Sequence, residues 1–133
     1  MNDIVVDTHV VIWYFSNPAM LSKSAENYLD NAEASGTIYV SSITIVELIY
    51  LIEKSKIPLD ILTFLRNALD DRTTAFRLLE LSREVADEAE KIPRAIVPDM
   101  PDRIISATAL HLGLPLVTRD RSISRLTAIK TIW

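Results

Sequence analysis

The sequence contains no cysteine, and this absence excludes both disulfide bonds and zinc sites built from thiolate ligands. A chain without cysteine fits the reducing cytoplasm, which is the localisation we expect. Only two glycines are present, so a glycine-rich phosphate-binding loop cannot form. Long hydrophobic runs are also missing. The apolar stretch 10–15 is far too short to span a bilayer, and no basic segment precedes a long apolar run as in a signal peptide.

What the sequence does contain suits one folded unit. Its 133 residues are 49% hydrophobic and 24% charged, enough for a core and for a subunit contact, and we expect a single domain over 1–133. The net charge of −4 argues against binding nucleic acid through bulk positive charge. It is compatible with an enzyme that gathers carboxylates around a cation, because a bound metal reverses the local charge.

Short apolar runs alternate with helical patterns along the chain. Strands are predicted over 4–6, 37–40, 76–81, 114–118 and 128–133. Helices are predicted over 9–15, 22–35, 43–54, 59–70, 83–91 and 102–112, with a proline-containing loop over 93–101. This alternation predicts an α/β sandwich with a mostly parallel sheet of about four or five strands flanked by helices. Ligands of such sheets bind at the carboxyl ends of the strands.

Two aspartates directly follow predicted strands. Asp7 comes after 4–6, and Asp120 comes just after 114–118. Carboxylates at these positions point into the crevice where parallel sheets bind ligands. Each also has another interpretation, because Asp7 or Thr8 is a suitable N-cap for the next helix and Asp120 is a typical turn residue. For Asp7 the two roles are compatible.

Two further acids lie on predicted helices. Glu47 is the only charged residue between Ser41 and Glu53, in a helix that is otherwise apolar almost all round. Because burial of an unpaired carboxylate is costly, Glu47 either has a partner or forms one polar stripe on a core helix. Asp102 opens the helix 102–112, where the helix dipole alone favours an acid.

Together, the four acids Asp7, Glu47, Asp102 and Asp120 are expected to meet at one edge of the sheet. Clustered carboxylates repel one another, so either some stay protonated with raised pKa values or a cation neutralises them. An all-oxygen site without cysteine favours Mg²⁺ or Mn²⁺ over zinc. The residues therefore predict an acidic pocket with Mg²⁺ or Mn²⁺ as its cofactor.

The two histidines give no clear catalytic arrangement. His9 follows Asp7 by two positions and lies either near the pocket or on a helix face. His111 is placed near a helix C-terminus, where a positive imidazole is favoured. No serine or threonine has a histidine and an acid in a recognisable triad setting.

Four segments, in this order and at this spacing, carry a family resemblance. They are 4–9 (IVVDTH), 41–48 (SSITIVEL), 102–109 (DRIISATA) and 116–120 (LVTRD), followed by a closing strand over 129–133. The chain resembles the PIN domain family, and specifically the VapC-type toxin nucleases of bacterial and archaeal toxin–antitoxin pairs. The resemblance covers essentially the whole chain.

The resemblance implies a PIN-like fold and a metal-dependent endoribonuclease that acts as a toxin. It maps the family's acids onto the four acids as metal ligands, with Glu47 either a ligand or the residue that orients the attacking water. A bound metal would generate the nucleophile from water and stabilise charge on the phosphate. Thr8, Thr118 and Arg119 are expected to position the phosphate. RNA as the substrate follows from the resemblance rather than from the residues.

One segment departs from the family pattern. Related toxins often have Asp-Pro-Phe-Asp-Arg where this chain has Asp99-Met100-Pro101-Asp102-Arg103. Pro101 suits the first turn of a helix, which leaves the role of Asp99 open, and we treat Asp99 only as a candidate helper. Arg103 is expected to be an internal counter-ion or a phosphate contact.

The resemblance also implies a cognate antitoxin that covers the site, for example by inserting a basic side chain such as arginine among the acids. The apolar helices over 43–54 and 59–70 are a candidate groove for it, or for a homodimer contact, and ordinary core packing is the alternative. Two rival functions are a catalytically degenerate PIN-like binding module and a metal-dependent phosphatase with Asp7 as its nucleophile. The phosphatase would need a second acid two positions on, where the chain has His9.

Overall fold

A computed structural model describes residues 2–133, and its centre is a five-stranded sheet in which every pair is parallel. In chain order the strands are β1 (Ile4–Val6), β2 (Ile38–Ser41), β3 (Phe76–Leu79), β4 (Leu116–Val117) and β5 (Thr131–Ile132). Their spatial order is β3-β2-β1-β4-β5. The predicted α/β class with a parallel central sheet is confirmed.

Helices connect the strands and pack on both faces of the sheet. They are α1 (Thr8–Ser16), α2 (Lys23–Ser35), α3 (Ser42–Glu53), α4 (Asp60–Asp70), α5 (Arg83–Glu88), α6 (Met100–Leu112) and α7 (Arg121–Ser124), with 3₁₀ turns at Pro18–Met20 and Ala89–Lys91. Several begin at a side chain that accepts a backbone N–H, such as Ser22 before α2 and Ser82 before α5. Within residues 2–133, no helix has the length and apolar character needed to cross a bilayer.

Strand β1 shows how two apolar layers arise. Its side chains alternate, so Ile4 and Val6 join one buried cluster while Val5 joins the other. Leu65 of α4 lies in the first cluster and Ile105 of α6 lies in the second. The sheet is therefore covered on both faces, as expected for a sheet whose strands are all parallel.

The strand order reverses at β1, because β2 lies on one side of it and β4 lies on the other. Such a switch opens a crevice at the carboxyl ends of the two strands, which is the usual ligand site of open parallel sheets. Val6 of β1 pairs with Val117 of β4, so the residues that follow, Asp7 and Thr118, lie side by side. The fold thus joins two strand ends that are 111 residues apart in the chain.

Some element boundaries differ from the sequence-based predictions. The last three strands are shorter than predicted: β3 ends at Leu79 rather than at 81, and β4 and β5 pair over only two residues each. Helix α6 begins at Met100 rather than at 102, since Asp99 caps it from what was the predicted loop. The helix predicted over 83–91 is the short α5 followed by a 3₁₀ turn. The sequence does not predict α7, which is too short to show a helical periodicity.

Candidate active site

Asp7 lies at the carboxyl end of β1 and is only 5% exposed, so its carboxylate depends on donors from the protein. Its Oδ1 accepts a hydrogen bond from the Val10 amide at 2.9 Å, which caps α1. Its Oδ2 accepts a hydrogen bond from the Thr118 hydroxyl. The cap and pocket interpretations of Asp7 therefore coexist in one side chain.

Thr118 follows β4, is fully buried and links the two strand-end aspartates. Its hydroxyl donates to Asp7 and accepts a hydrogen bond from the Asp120 amide at 3.0 Å. Asp120 in turn begins α7, because its Oδ1 accepts a hydrogen bond from the Ile123 amide at 2.9 Å. Thr118 thus lies behind the pocket, where it holds Asp7 instead of contacting a phosphate as its predicted role requires.

Glu47 is half-buried on α3, and its partner comes from another helix. The Thr8 hydroxyl donates to Glu47 Oε1 at 2.5 Å. Because a hydroxyl carries one hydrogen, the buried Thr44 hydroxyl must donate to the Thr8 oxygen, 3.1 Å away. This chain of hydroxyls orients the Glu47 carboxylate and supplies the partner that an acid on an apolar helix requires.

Asp99 and Asp102 lie at the start of α6. Asp99 Oδ2 accepts a hydrogen bond from the Asp102 amide at 3.1 Å, so Asp99 is the N-cap of the helix. The Arg103 guanidinium donates instead to the carbonyl oxygens of Ile92, at 3.1 Å, and Ala89, at 2.8 Å. The structure thus gives Arg103 a role in holding the preceding segment, in place of the predicted counter-ion or phosphate contact.

A pocket of about 560 Å³ opens at the carboxyl edge of the sheet. It is lined by Asp7, Thr8, His9, Trp13, Glu47, Asp99, Asp102, Arg119 and Asp120. The structure therefore brings the four acids together and adds Asp99 as a fifth. Of the residues predicted to position a phosphate, Thr8 and Arg119 line the pocket, whereas Thr118 does not.

Burial and mutual repulsion raise the pKa of three of the acids. Burial raises the pKa of Asp7, although its two hydrogen bonds lower it. Burial also raises the pKa of Glu47 against the effect of its hydroxyl partner. The pKa of Asp102 rises to about 7, through burial first and then repulsion from the other acids, with Asp99 the strongest. The ion pairs of residues 2–133 all lie elsewhere, so no salt bridge in this part of the chain neutralises the acids, and the charge of nearby His9 offsets that of Asp7 and Glu47 only in part.

The four acids and Asp99 offer only oxygen ligands, which hard divalent cations prefer. Within residues 2–133, no three histidine, cysteine or acidic side chains converge closely enough to form a ready-made site for one ion. Mg²⁺ usually retains several waters and takes only one or two carboxylates directly. The open arrangement therefore fits a hydrated ion of this kind better than a fully chelated one.

Sequence reasoning missed two residues that shape this site. Trp13 lines the pocket, and its ring centroid lies 5.7 Å from that of His9, which also lines it. The four-residue spacing of this pair was the available signal, since such residues share one face of a helix. Thr44 gave a similar signal, because it precedes Glu47 by three positions on α3.

The pocket and nearly all of the sheet fall within one family match. The sequence model of the PIN domain family matches residues 4–129. The chain belongs to the PIN domain family. The predicted resemblance is therefore confirmed, and each of the four acids lies inside the matched range.

Relatives of this PIN domain protein share its length as well as its fold. The chain is 31% identical to the ribonuclease VapC22 of Mycobacterium tuberculosis over 137 residues, which cover 100% of both chains. A crystal structure of VapBC2 from Rickettsia felis, bound to a promoter DNA fragment, has a TM-score of 0.73 at 19% identity, over 97% of this chain and 96% of that one. DNA-bound VapBC from Salmonella typhimurium gives 0.72 at 23% identity, over 98% and 97%. These structures confirm the predicted PIN-like fold.

Proposed function

We propose that this PIN domain protein is a metal-dependent endoribonuclease, which hydrolyses RNA phosphodiester bonds as the toxin of a toxin–antitoxin pair. The observation that carries the proposal is the convergence of the four acids in one pocket. Carboxylates alone do not select RNA. The substrate class comes from the full-length relative that is a ribonuclease.

Mg²⁺ or Mn²⁺ is the proposed cofactor, held directly or through water by Asp7, Glu47, Asp102 and Asp120. The raised pKa of Asp102, at about 7, supports this, because a cation would neutralise the repulsion that burial and neighbouring acids create there. When bound, the cation supplies positive charge that stabilises the reacting phosphate and makes a nearby water easier to deprotonate.

The chain's own side chains orient the reactants in this proposal. The Thr8 hydroxyl fixes one oxygen of Glu47, which leaves the other oxygen to orient the attacking water. The water oxygen would bond to phosphorus as the bond to the leaving oxygen breaks. The ionised Glu47 would take up the proton of the attacking water, and the leaving oxygen would take a proton from solvent water. Arg119, exposed at the edge of the pocket, contacts the phosphate.

An antitoxin is the proposed protein partner, because the structural relatives are toxin–antitoxin complexes. Helices α3 and α4 leave large apolar side chains exposed, namely Val46, Tyr50, Leu59 and Phe64. This apolar surface supports the groove interpretation over core packing alone, for an antitoxin segment or for a second copy in a homodimer. A basic antitoxin side chain would find an incompletely neutralised acidic pocket to enter.

Cleavage of a mixed RNA panel in Mg²⁺ or Mn²⁺ tests the proposal, with wild type compared with Asp7→Asn. The amide keeps the size of the side chain and an acceptor for Val10 but removes the charge. We expect kcat/KM to fall at least about 100-fold, since changes behind metal ligands already cost about 10–100-fold. Asp60→Asn, an exposed acid in the first turn of α4, is the matched control. Equal cleavage by wild type and Asp7→Asn would contradict the metal-site hypothesis.

Titration with Mn²⁺ separates an active nuclease from a degenerate binding module. A cation that binds only the folded state at about 100 times its Kd adds about 2.7 kcal/mol of stability. For a domain of this size that corresponds to a rise in Tm of about 5–10 °C. We expect this rise in wild type and a smaller one in Asp7→Asn. A flat titration in wild type would favour the degenerate module.

The residues around Asp7 give no support to the phosphatase alternative, in which Asp7 would be the nucleophile. The position two residues on, His9, cannot supply the acid that this mechanism requires.

A further inference from the structure

An aromatic surface with one cation borders the acidic pocket, and the proposed chemistry makes no use of its rings. We name it the aromatic ledge and define it as His9, Trp13, Trp133 and Arg119. The ring centroid of Trp13 lies 5.7 Å from that of His9 and 5.6 Å from that of Trp133. The guanidinium carbon of Arg119 lies 5.9 Å from the centroid of the Trp13 ring. The four side chains therefore form one continuous surface centred on Trp13.

The aromatic ledge is reachable by a ligand. His9 and Arg119 are exposed, Trp133 is 37% exposed and Trp13 is partly exposed. The aromatic ledge thus presents two partly accessible indole rings beside an exposed imidazole and an exposed guanidinium, and such a grouped surface is a candidate binding site, unlike a single exposed ring. The members come from α1 and from the residues that follow β4 and β5, so the parallel sheet fixes their convergence.

The position of the aromatic ledge relates it to the reacting phosphate. His9, Trp13 and Arg119 line the same pocket as Asp7 and Asp120. A polynucleotide whose phosphate enters among the acids therefore presents its neighbouring nucleoside to the rings. The base of that nucleoside is the only planar, largely apolar group of the substrate near the phosphate, so it is the group that can stack on the rings.

We propose that the aromatic ledge stacks an unpaired base of the RNA, next to the phosphate that enters the acidic pocket; this inference rests on the proposed function. With a net charge of −4, the chain as a whole repels phosphates, so RNA binding needs a contribution that does not depend on charge. Stacking on aromatic rings provides one for any base. Arg119 adds a planar cation that stacks on rings and also pairs with phosphate.

This geometry restricts the substrate to RNA that is unpaired at the stacked position. A base inside a duplex is already stacked on its neighbours and cannot reach the rings, whereas bases in loops and single strands can turn outward. Stacking discriminates weakly between bases, so the aromatic ledge selects exposed nucleotides rather than a sequence.

Tryptophan fluorescence tests the inference directly, because the chain contains two tryptophans and both belong to the aromatic ledge. The Asp7→Asn protein would be titrated with single-stranded oligoadenylate and with an abasic oligomer of equal length, with and without Mn²⁺. We expect oligoadenylate to quench the fluorescence and the abasic oligomer to bind about tenfold more weakly. Equal affinity for both, or binding without any change in fluorescence, would overturn the inference.

Substitutions of Trp13 test whether its ring carries the proposed stacking. In the Asp7→Asn protein, Trp13→Leu should weaken oligoadenylate binding about tenfold, whereas Trp13→Phe should retain most of it. With Asp7 intact, Trp13→Leu should raise the KM for single-stranded RNA more than it lowers kcat. Tyr28→Leu, which removes a partly exposed ring outside the pocket that likewise has a cation, Lys130 Nζ, 5.5 Å from its centroid, is the control and should change neither. If melting shows that Trp13→Leu does not fold, Trp133→Leu provides the same comparison at the edge of the surface.

The two proposals fail in different ways. Absence of RNA cleavage by wild type, with base-dependent quenching intact, would refute the nuclease proposal and leave the aromatic ledge as a base-binding site. If abasic substitution at every position near the cut left the rate of cleavage unchanged, the proposed role of the aromatic ledge would be refuted. The nuclease proposal would then remain in place.

Discussion

Four of the five acids of the pocket form two pairs that the fold holds in different ways. Asp7 and Asp120 follow strands, and each accepts a hydrogen bond from the amide of the helix that it begins. Glu47 lies on α3 and Asp102 lies on α6, and these two helices contact each other beside the pocket. Glu47 has the Thr8 hydroxyl as a partner, but within residues 2–133 only the backbone of Asp102 makes hydrogen bonds.

This difference separates a preorganised side of the pocket from an electrostatically strained one. The strand-end pair is positioned by backbone amides and by Thr118, which are contacts that the chain itself supplies. Asp102 has burial and repulsion from the other acids acting on it, and its pKa rises to about 7. Removing the charge of Asp102 should therefore raise stability, whereas removing a donor on the strand side should lower it, so these two kinds of change should affect stability in opposite directions.

Replacing Asp102 with asparagine should cause a large loss of activity. The same change should raise the stability of the fold. We expect a loss in kcat/KM of about 100-fold, because a proposed ligand loses its charge. At pH 8 without cation, Tm should rise by about 4 °C, which corresponds to about 1 kcal/mol after allowance for solvent screening of this partly exposed acid. RNA cleavage and thermal melting measure the two effects.

Asp60→Asn is the matched control for that substitution. Both acids lie in the first turn of a helix, so both substitutions lose the same favourable interaction with the helix dipole. Asp60 is exposed and does not line the pocket, so its substitution should lower Tm slightly or leave it unchanged. A fall in Tm for Asp102→Asn as well would remove the distinction between a strained and a preorganised side.

Replacing Thr118 with valine should have the opposite effect on stability. The change leaves Asp7 Oδ2 without its donor and the Asp120 amide without its acceptor, both in a buried setting. We expect the free energy of unfolding to fall by about 1–3 kcal/mol. Activity should fall about 10–100-fold, since groups that orient proposed ligands have effects of that size. Urea unfolding and RNA cleavage check these two values.

Thr108→Val is the control for the loss of a buried hydroxyl. Thr108 is 1% exposed, but its hydroxyl donates only to the Ile104 carbonyl within the same helix. Its replacement should cost less than about 1 kcal/mol, because the carbonyl keeps its helical partner. Its activity should match wild type, and equal losses in the two threonine variants would show that Thr118 has no special role in holding Asp7.

Most of the fold could be predicted from the sequence, because segments with the hydrophobic pattern of a strand alternate along the chain with segments that have the pattern of a helix. The centres of the strands and longer helices were predicted correctly, but the ends of β4 and β5 were not. Their lengths depend on how many residues find a partner in the neighbouring strand, and apolar composition does not encode that number. Helix α7 depends on one side-chain cap from Asp120, which four residues of sequence do not reveal.

The positions of the pocket residues could be predicted from the sequence where a strand end fixes the side chain, and less well elsewhere. Asp7 and Asp120 were placed by the rule that ligands bind at the carboxyl ends of parallel strands. The partner of Glu47 is 39 positions away, and no local pattern identifies it. Arg103 was misplaced for a similar reason, because its carbonyl partners come from a segment that only the tertiary fold brings close.

The pH dependence of stability should show the smallest effect, and it compares wild type with Asp102→Asn in the absence of cation. Because the folded pKa of Asp102, about 7, lies above the ordinary value, the folded state keeps a proton that the unfolded chain has lost between about pH 4 and pH 7. The stability of wild type should therefore fall across this window as pH rises, relative to the variant, and then stay level. The difference should be close to zero at pH 4 and about 1 kcal/mol at pH 8, measured by urea unfolding. Saturating Mg²⁺ should shrink it, because a bound cation favours the charged carboxylate. A difference that does not change with pH would mean that Asp102 is not under electrostatic strain, and the two sides of the pocket would then be equivalent.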